Sequence, residues 1–139
     1  MMPESASREG MLHHVEIYVS ELEVSVKFWG WLLGALGYEE FQKWEQGRSW
    51  KLGETYIVFV QTVEKHRDVK YHRCRTGLNH LAFHVGSMER LRELEAELRG
   101  RGVPMLYEDR EKVSSGNPRL FFEDPDRIKV ELVGPGEWE

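Results

Sequence analysis

Residues 12–19 read L-H-H-V-E-I-Y-V, and residues 78–85 read L-N-H-L-A-F-H-V, with a histidine at the third place of each stretch. Apolar and polar positions alternate in both, a period typical of half-buried β-strands. The apolar faces are Val15, Ile17 and Val19 in the first stretch and Leu81, Phe83 and Val85 in the second. We therefore expect the same strand twice, with His14 and His80 on equivalent polar faces.

The segments that follow the two strands also repeat. Ser20 with Glu23 has the spacing of a capping box and predicts a helix over residues 21–36, ended by Gly37. Ser87 predicts the start of a second helix over residues 88–101. Alternation and turn residues predict further strands at 38–44, 48–52, 55–62, 103–111, 119–122 and 127–133. The order β-α-β-β-β thus occurs twice.

Length and composition support one domain over residues 1–139, with units at about 11–62 and 78–134 and a polar linker at about 63–77. The net charge is −5 and Lys and Arg are dispersed, which argues against a nucleic-acid partner. No apolar run is long enough to span a membrane, and no signal-peptide pattern is present. One cysteine, Cys74, fits a reducing compartment, so we expect a cytoplasmic protein.

The paired strands, together with the closing stretch F-F-E-D-P-D-R-I-K-V-E-L at residues 121–132, resemble the vicinal oxygen chelate superfamily. That superfamily includes glyoxalase I, fosfomycin-modifying enzymes, extradiol dioxygenases and bleomycin-binding proteins. The resemblance implies an α+β fold in which two tandem βαβββ units form a curved eight-stranded sheet, with the helices on its outer side. It also implies a small-molecule substrate and a homodimer.

A metal site is the second implication of this resemblance, with His14, His80 and Glu131 as ligands of one divalent ion. His13 is the other candidate at the first position, but strand alternation would point it into the core with Val15. Two imidazoles and one carboxylate leave coordination positions open, and admit zinc, nickel, cobalt, manganese or iron. Taken singly, a strand histidine is usually structural and a glutamate on a polar face is usually solvated.

Other positions of the polar strand faces are candidates for substrate contact. Glu16 lies about 7 Å along the strand from His14 and is the candidate general base, although a solvated rim charge is the slightly favoured alternative. The candidate substrate-binding residues are Tyr18, Phe59, His84, Ser115 and Phe121.

The activity is predicted only as a class. An alignment of Y-I-V-F-V-Q with I-K-V-E-L-V sets Phe59 opposite Glu131, where glyoxalase I has a further ligand, so a three-ligand lyase, isomerase or transferase is favoured. The alternatives are a metal-free binding protein of the bleomycin-resistance type and a small extradiol dioxygenase.

Overall fold

The computed structural model describes residues 8–136. They cluster into two compact units, and the boundary along the chain lies between His66 and Arg67. Unit 1 contains β1 (His14–Val19), α1 (Leu22–Ala35), β2 (Glu39–Trp44), β3 (Gly47–Leu52) and β4 (Thr55–Gln61). Unit 2 contains β5 (His80–His84), α2 (Met88–Gly100), β6 (Arg119–Glu123) and β7 (Lys129–Val133). Short 3-10 helices lie at Glu64–His66 and Val113–Ser115.

Each unit forms its own sheet, with its first and last strands parallel. Unit 1 has the strand order β1-β4-β3-β2, and unit 2 has the order β5-β7-β6. Both sheets pair the first strand with the last in parallel and are otherwise antiparallel. The α+β architecture with one helix in each unit is confirmed.

The eight-stranded sheet of the prediction is not confirmed, because the described residues form a four-stranded and a three-stranded sheet. The missing strand is the one expected at 103–111, where the chain forms a single bridge between Met105 and Phe122. Pro104 has no amide hydrogen for a ladder, and Tyr107 has φ +59, outside the strand region. Both features prevent regular pairing along this segment.

The predicted apolar faces of the two first strands are buried in part, since Ile17, Val19 and Val85 are buried and the other members, Val15, Leu81 and Phe83, are half-buried. In unit 1, Trp29, Leu32 and Leu33 of α1 are fully buried, as is Phe59 of β4. In unit 2 the corresponding buried set consists of Leu91, Leu94 and Leu98 of α2 with Leu120, Phe122, Val130 and Leu132 of the sheet. Neither helix of the described part of the chain is long and apolar enough to cross a membrane.

The two helix starts differ from each other. Ser87 caps α2 as predicted, since its hydroxyl accepts from the Arg90 amide at 3.0 Å. The capping box predicted for α1 is wrong, because the N-cap is Glu21, whose side chain makes no capping bond. Instead, the Leu22 amide donates to Gln61 of β4 at 2.9 Å. A long-range side chain therefore replaces the local cap.

The predicted linker is part of unit 2 over much of its length. Arg73 donates to Glu123 at 2.5 Å and to the Arg127 carbonyl at 3.2 Å. The Tyr71 hydroxyl donates to the Leu78 carbonyl at 2.7 Å, and burial raises the pKa of this tyrosine. These contacts hold residues 71–78 against the second sheet.

Candidate active site

Glu131 lies at the centre of a polar cluster on the second sheet. Its side chain is only 6% exposed, although it is a carboxylate on the face opposite the Leu132 core. One carboxylate oxygen lies 3.0 Å from His80 Nε2, and the other accepts from Arg119 Nη1. Because a buried charge needs partners, this carboxylate depends on both side chains.

Asn79 determines how the His80 ring presents its nitrogens. The Asn79 amide nitrogen lies 3.3 Å from the Arg73 carbonyl, so its oxygen faces His80 Nδ1 at 2.7 Å. Nδ1–H therefore donates to Asn79, and a neutral ring has its lone pair on Nε2. That lone pair faces a carboxylate oxygen, also an acceptor. A cation, either a proton or a metal ion, is needed between the two atoms.

His14 has a comparable position in unit 1 but different neighbours. Its ring stacks on Tyr56 with centroids 4.7 Å apart and planes 3° apart. Its Nδ1 lies 2.8 Å from Nδ1 of His13, so one ring must donate to the other. The expectation that His13 points into the core is wrong, since this residue precedes β1 and is exposed.

Comparison with known proteins identifies the family of this chain. A family model for the glyoxalase/bleomycin resistance protein/dioxygenase superfamily matches residues 13–122. The chain belongs to this vicinal oxygen chelate superfamily. It is also 51% identical to the uncharacterized protein YqjT of Bacillus subtilis (strain 168), over 89% of this chain and 98% of that protein.

Solved structures of the superfamily share the fold. A glyoxalase-like protein from Bacillus halodurans is 55% identical, with a TM-score of 0.88 over 93% of this chain and 98% of that one. A mutant of the fosfomycin resistance protein FosX from Listeria monocytogenes, complexed with Mn(II) and 1S,2S-dihydroxypropylphosphonic acid, has a TM-score of 0.67 and 21% identity. The match covers 91% of this chain and 93% of that one.

Strand register corrects one superfamily alignment. In β1 and β4, Glu16 pairs with Val58, whereas in β5 and β7, Ala82 pairs with Glu131. Each of these pairs lies two residues after the pair that contains the histidine, which is His14–Tyr56 in unit 1 and His80–Lys129 in unit 2. Val58 is therefore the equivalent of Glu131. Phe59 lies one residue further on the opposite face, where it is fully buried and stacks on Trp29 at 5.0 Å.

Two consequences follow from this correction. Phe59 is wrong as a substrate-contact candidate, because no surface of its side chain is accessible. Valine, like phenylalanine, offers no atom that ligates a metal or carries a proton. The further ligand expected of a glyoxalase I is therefore lacking at Val58, as it is at the misaligned position.

The other residues predicted to act as the base or to contact the substrate lie in different environments. Glu16 and Tyr18 are exposed on the same face of β1 as His14. His84 is exposed on the His80 face of β5, and Phe121 pairs in register with Glu131. Ser115 is exposed in the 3-10 helix before β6. His80 and Glu131 are thus in direct contact, and Phe121 lies beside Glu131.

Sequence reasoning missed Arg119, the cationic partner of Glu131. The signal was available, because Arg119, Phe121 and Glu123 alternate along β6 and so share the Glu131 face. Asn79 lies just before β5, where strand alternation does not apply, so no pattern in the sequence indicates its contact with His80. Within residues 8–136, no three or more His, Cys, Asp or Glu side chains are arranged to hold a metal ion.

Proposed function

We propose that this chain is a metal-dependent enzyme of the vicinal oxygen chelate superfamily, acting on a small substrate with adjacent oxygens. His14, His80 and Glu131 would hold one divalent ion. When bound, such an ion supplies Lewis-acid polarisation of substrate oxygens. The observation that carries the proposal is the approach of His80 Nε2 to the Glu131 carboxylate at 3.0 Å.

This pair suits a divalent ion for three reasons. Both facing atoms are acceptors when the imidazole is neutral, so a cation between them relieves their repulsion. Asn79 orients the ring through its other nitrogen, an arrangement common for metal-ligating histidines. The ligands also lie on paired strands, which hold side chains more precisely than loops do.

The third ligand, His14, is proposed from the repeat. It occupies the first position of β1, as His80 does in β5, and each strand pairs in parallel with the last strand of its unit. Its Nδ1 is engaged by His13. If His14 Nδ1–H donates there, Nε2 has the lone pair that coordination requires. His13 then acts as a positioning residue.

The protein's own groups would provide binding and proton transfer. Glu16 is exposed on the strand face of His14 and is our candidate to take a proton from the substrate. Tyr18, His84, Ser115 and Phe121 would contact the substrate. We propose a homodimer in the cytoplasm, and zinc, nickel, cobalt, manganese or iron as the ion. The Mn(II) complex of FosX supports a metal within this fold.

Metal content of purified variants tests the proposal. Wild type, His14→Ala, His80→Ala and Glu131→Gln would each be incubated with the five ions, desalted and analysed. We expect one equivalent in wild type and at least about a tenfold loss of affinity in each variant, since ligands matter no less than the groups that orient them. The control is His66→Ala, which removes an exposed imidazole of the Glu64–His66 turn.

His13→Ala adds a test of positioning. The exposed ring should contribute little to stability, whereas loss of its bond to His14 should weaken metal binding by about tenfold. A folded wild type that takes up none of the five ions would refute the metal proposal.

One observation favours a second candidate, a metal-free small-molecule binding protein. Arg119 neutralises Glu131 through the carboxylate oxygen that His80 does not contact, so a protonated His80 would complete a stable ion-paired cluster with no metal. In that case Glu131→Gln would lower stability without changing metal content. The same set of variants therefore separates the two functions.

A further inference from the structure

Among the described residues of unit 2, Lys129 is a cation without an anionic partner. It lies on the same face of β7 as Glu131, two residues away, and its side chain is half-buried. Its cross-strand neighbour in β6 is Glu123, which strand pairing makes its natural partner. Glu123 is bound instead by Arg73 at 2.5 Å and by Arg127 at 3.3 Å.

The Lys129 ammonium turns to Tyr107 instead. Its Nζ donates to the Tyr107 hydroxyl oxygen at 3.0 Å and lies 5.3 Å from the centre of that ring. Because the phenol accepts this bond, its own hydrogen remains to be donated, and the ammonium has two further hydrogens. Within residues 8–136, Lys129 makes no ion pair with a carboxylate.

Tyr107 is held in this position by its backbone and by an aromatic contact. It is one of two non-glycine residues with positive φ, at +59, among the described residues. Its ring meets Phe121 edge to face at 5.0 Å, and the Arg110 guanidinium lies 4.3 Å above it. Tyr107, Phe121 and Arg110 also line a pocket, with Arg119 and Lys112. Glu95, Glu108 and Glu111 line the same pocket, so its wall has charges of both signs, and the contacts with Phe121 and Arg110 hold the Tyr107 ring in place.

A half-buried cation with donors to spare is completed by an anion. We propose that Lys129 and Tyr107 form a subsite for an oxyanion, a carboxylate or phosphate group, of the substrate. Lys129 and Glu131 are about 7 Å apart along β7. The subsite rests on the proposed function only in the statement that the anion is part of a substrate. That substrate would be an acid whose charged group lies several ångströms from the reacting oxygens.

Anion titrations of the metal-free protein test the subsite. Acetate and inorganic phosphate would be added to ¹⁵N-labelled protein while backbone amide shifts are followed, with acetamide as an uncharged analogue of acetate. We expect saturable shifts around residues 107, 121 and 129 with an anion and none with acetamide. Acetate alone would assign a carboxylate, and phosphate alone a phosphate ester.

Variants then connect the binding to named atoms. Lys129→Met keeps the length of the side chain and should weaken anion binding by about tenfold or more, since a charged hydrogen bond is lost. Tyr107→Phe keeps the contact with Phe121 and should weaken anion binding several-fold. This variant provides the test if Lys129→Met does not fold. Lys27→Met, on the exposed side of α1, is the matched control and should bind as wild type does.

Three results would overturn the subsite. The first is equal anion affinity in Lys129→Met and wild type, and the second is equal amide shifts with acetamide and acetate. The third is no amide shift in folded wild type at about 50 mM of either anion, a concentration at which even a weak site would be partly occupied. All three concern metal-free protein and residues of unit 2. A failure of the metal proposal is therefore recognised separately, by metal content.

Discussion

Unit 1 and unit 2 begin with the same strand and histidine, yet the strand beside it carries Val58 in one unit and Glu131 in the other. Val58 is 2% exposed and Glu131 is 5% exposed, so both positions are equally buried. In unit 2 this carboxylate is bound by His80 and Arg119, whereas the residues paired with Val58 in unit 1 are Glu16 and Ser49. A carboxylate can therefore replace an apolar side chain at this buried position only where the neighbouring strands supply its partners.

The two cores differ in a complementary way. Unit 1 packs aromatic rings, with Trp29 stacked on Phe59 at 5.0 Å and Trp50 edge-on to Phe59 at 5.9 Å. In unit 2 the equivalent of Phe59 is Leu132, which is fully buried with Leu91 and Leu94 of α2. Unit 1 thus has the larger apolar side chains, and unit 2 has the buried charge.

The largest effect is expected where the aromatic core is broken. Phe59→Ala should lower the free energy of unfolding by about 3–5 kcal/mol, because a fully buried ring leaves a cavity against Trp29 and Trp50. Urea unfolding followed by tryptophan fluorescence would measure it. Metal content and anion binding should be unchanged.

Phe59→Leu is the control, since it installs the residue found in unit 2. It should cost less than half as much as Phe59→Ala, because most of the volume is retained. A Phe59→Ala protein that remains as stable as wild type but loses ligand binding would instead put this ring at the site, as the sequence alone suggested.

The error at Phe59 shows the limit of reading strands from sequence. Alternation correctly places His14, Glu16 and Tyr18 on one face of β1 and Val15, Ile17 and Val19 on the other. A central strand such as β4 is buried on both faces over Ile57, Val58 and Phe59, so it has no alternation to read. A slip of one residue then exchanges the faces.

Removing the buried carboxylate is the second test. Glu131→Val makes unit 2 resemble unit 1 at this position and should cost about 1–3 kcal/mol at neutral pH. The cost stays below that of a fully buried pair, because the side chains of Arg119 and His80 are 31% and 33% exposed. Thermal denaturation and urea unfolding would measure it.

A double-mutant cycle identifies the cause. Combining Glu131→Val with Arg119→Met should cost less than the sum of the single changes, because neither charge is then left alone. Strict additivity would mean that Glu131 contributes through packing, and the contrast between the two units would lose its electrostatic basis.

Much of the site could be predicted because its ligand candidates lie on regular strands. Alternation along β5 and β7 places His80 and Glu131 on one face, and they are in contact. Lys129 is on that face too, but its partner Tyr107 belongs to a segment predicted as a strand. Pro104 and the positive φ of Tyr107 divert that segment, and no periodicity reports where an irregular chain directs its side chains.

The helix starts provide the third contrast. Ser87→Ala should destabilise unit 2 by about 1 kcal/mol, since the Arg90 amide loses its acceptor. Gln61→Ala should cost a similar amount, because the Leu22 amide likewise loses its side-chain acceptor. Thermal denaturation of both variants gives the order, and a larger loss for Gln61→Ala would show that its second bond, to the Ser20 carbonyl, matters more.

The smallest expected effect concerns the segment that stands in unit 2 where unit 1 has a regular strand. Glu108 of this segment pairs with Arg99 of α2 at 2.9 Å, and the hydrogen bond from that arginine lowers the pKa of Glu108 below 4.5. The folded state thus binds the proton less tightly than the unfolded state does. Stability from this pair is fully present above pH 4.5 and is lost as the pH falls through the lower folded value. Glu108→Gln should therefore be slightly less stable than wild type at pH 7, and the difference should vanish in acid.

Glu39→Gln, on the exposed strand β2, is the matched control and should show no such dependence. If the two variants follow the same curve in urea unfolding between pH 7 and pH 3, the ion pair does not hold the irregular segment, and its two backbone bonds to β6, from Leu106 to Phe121 and from Glu123 to Pro104, suffice.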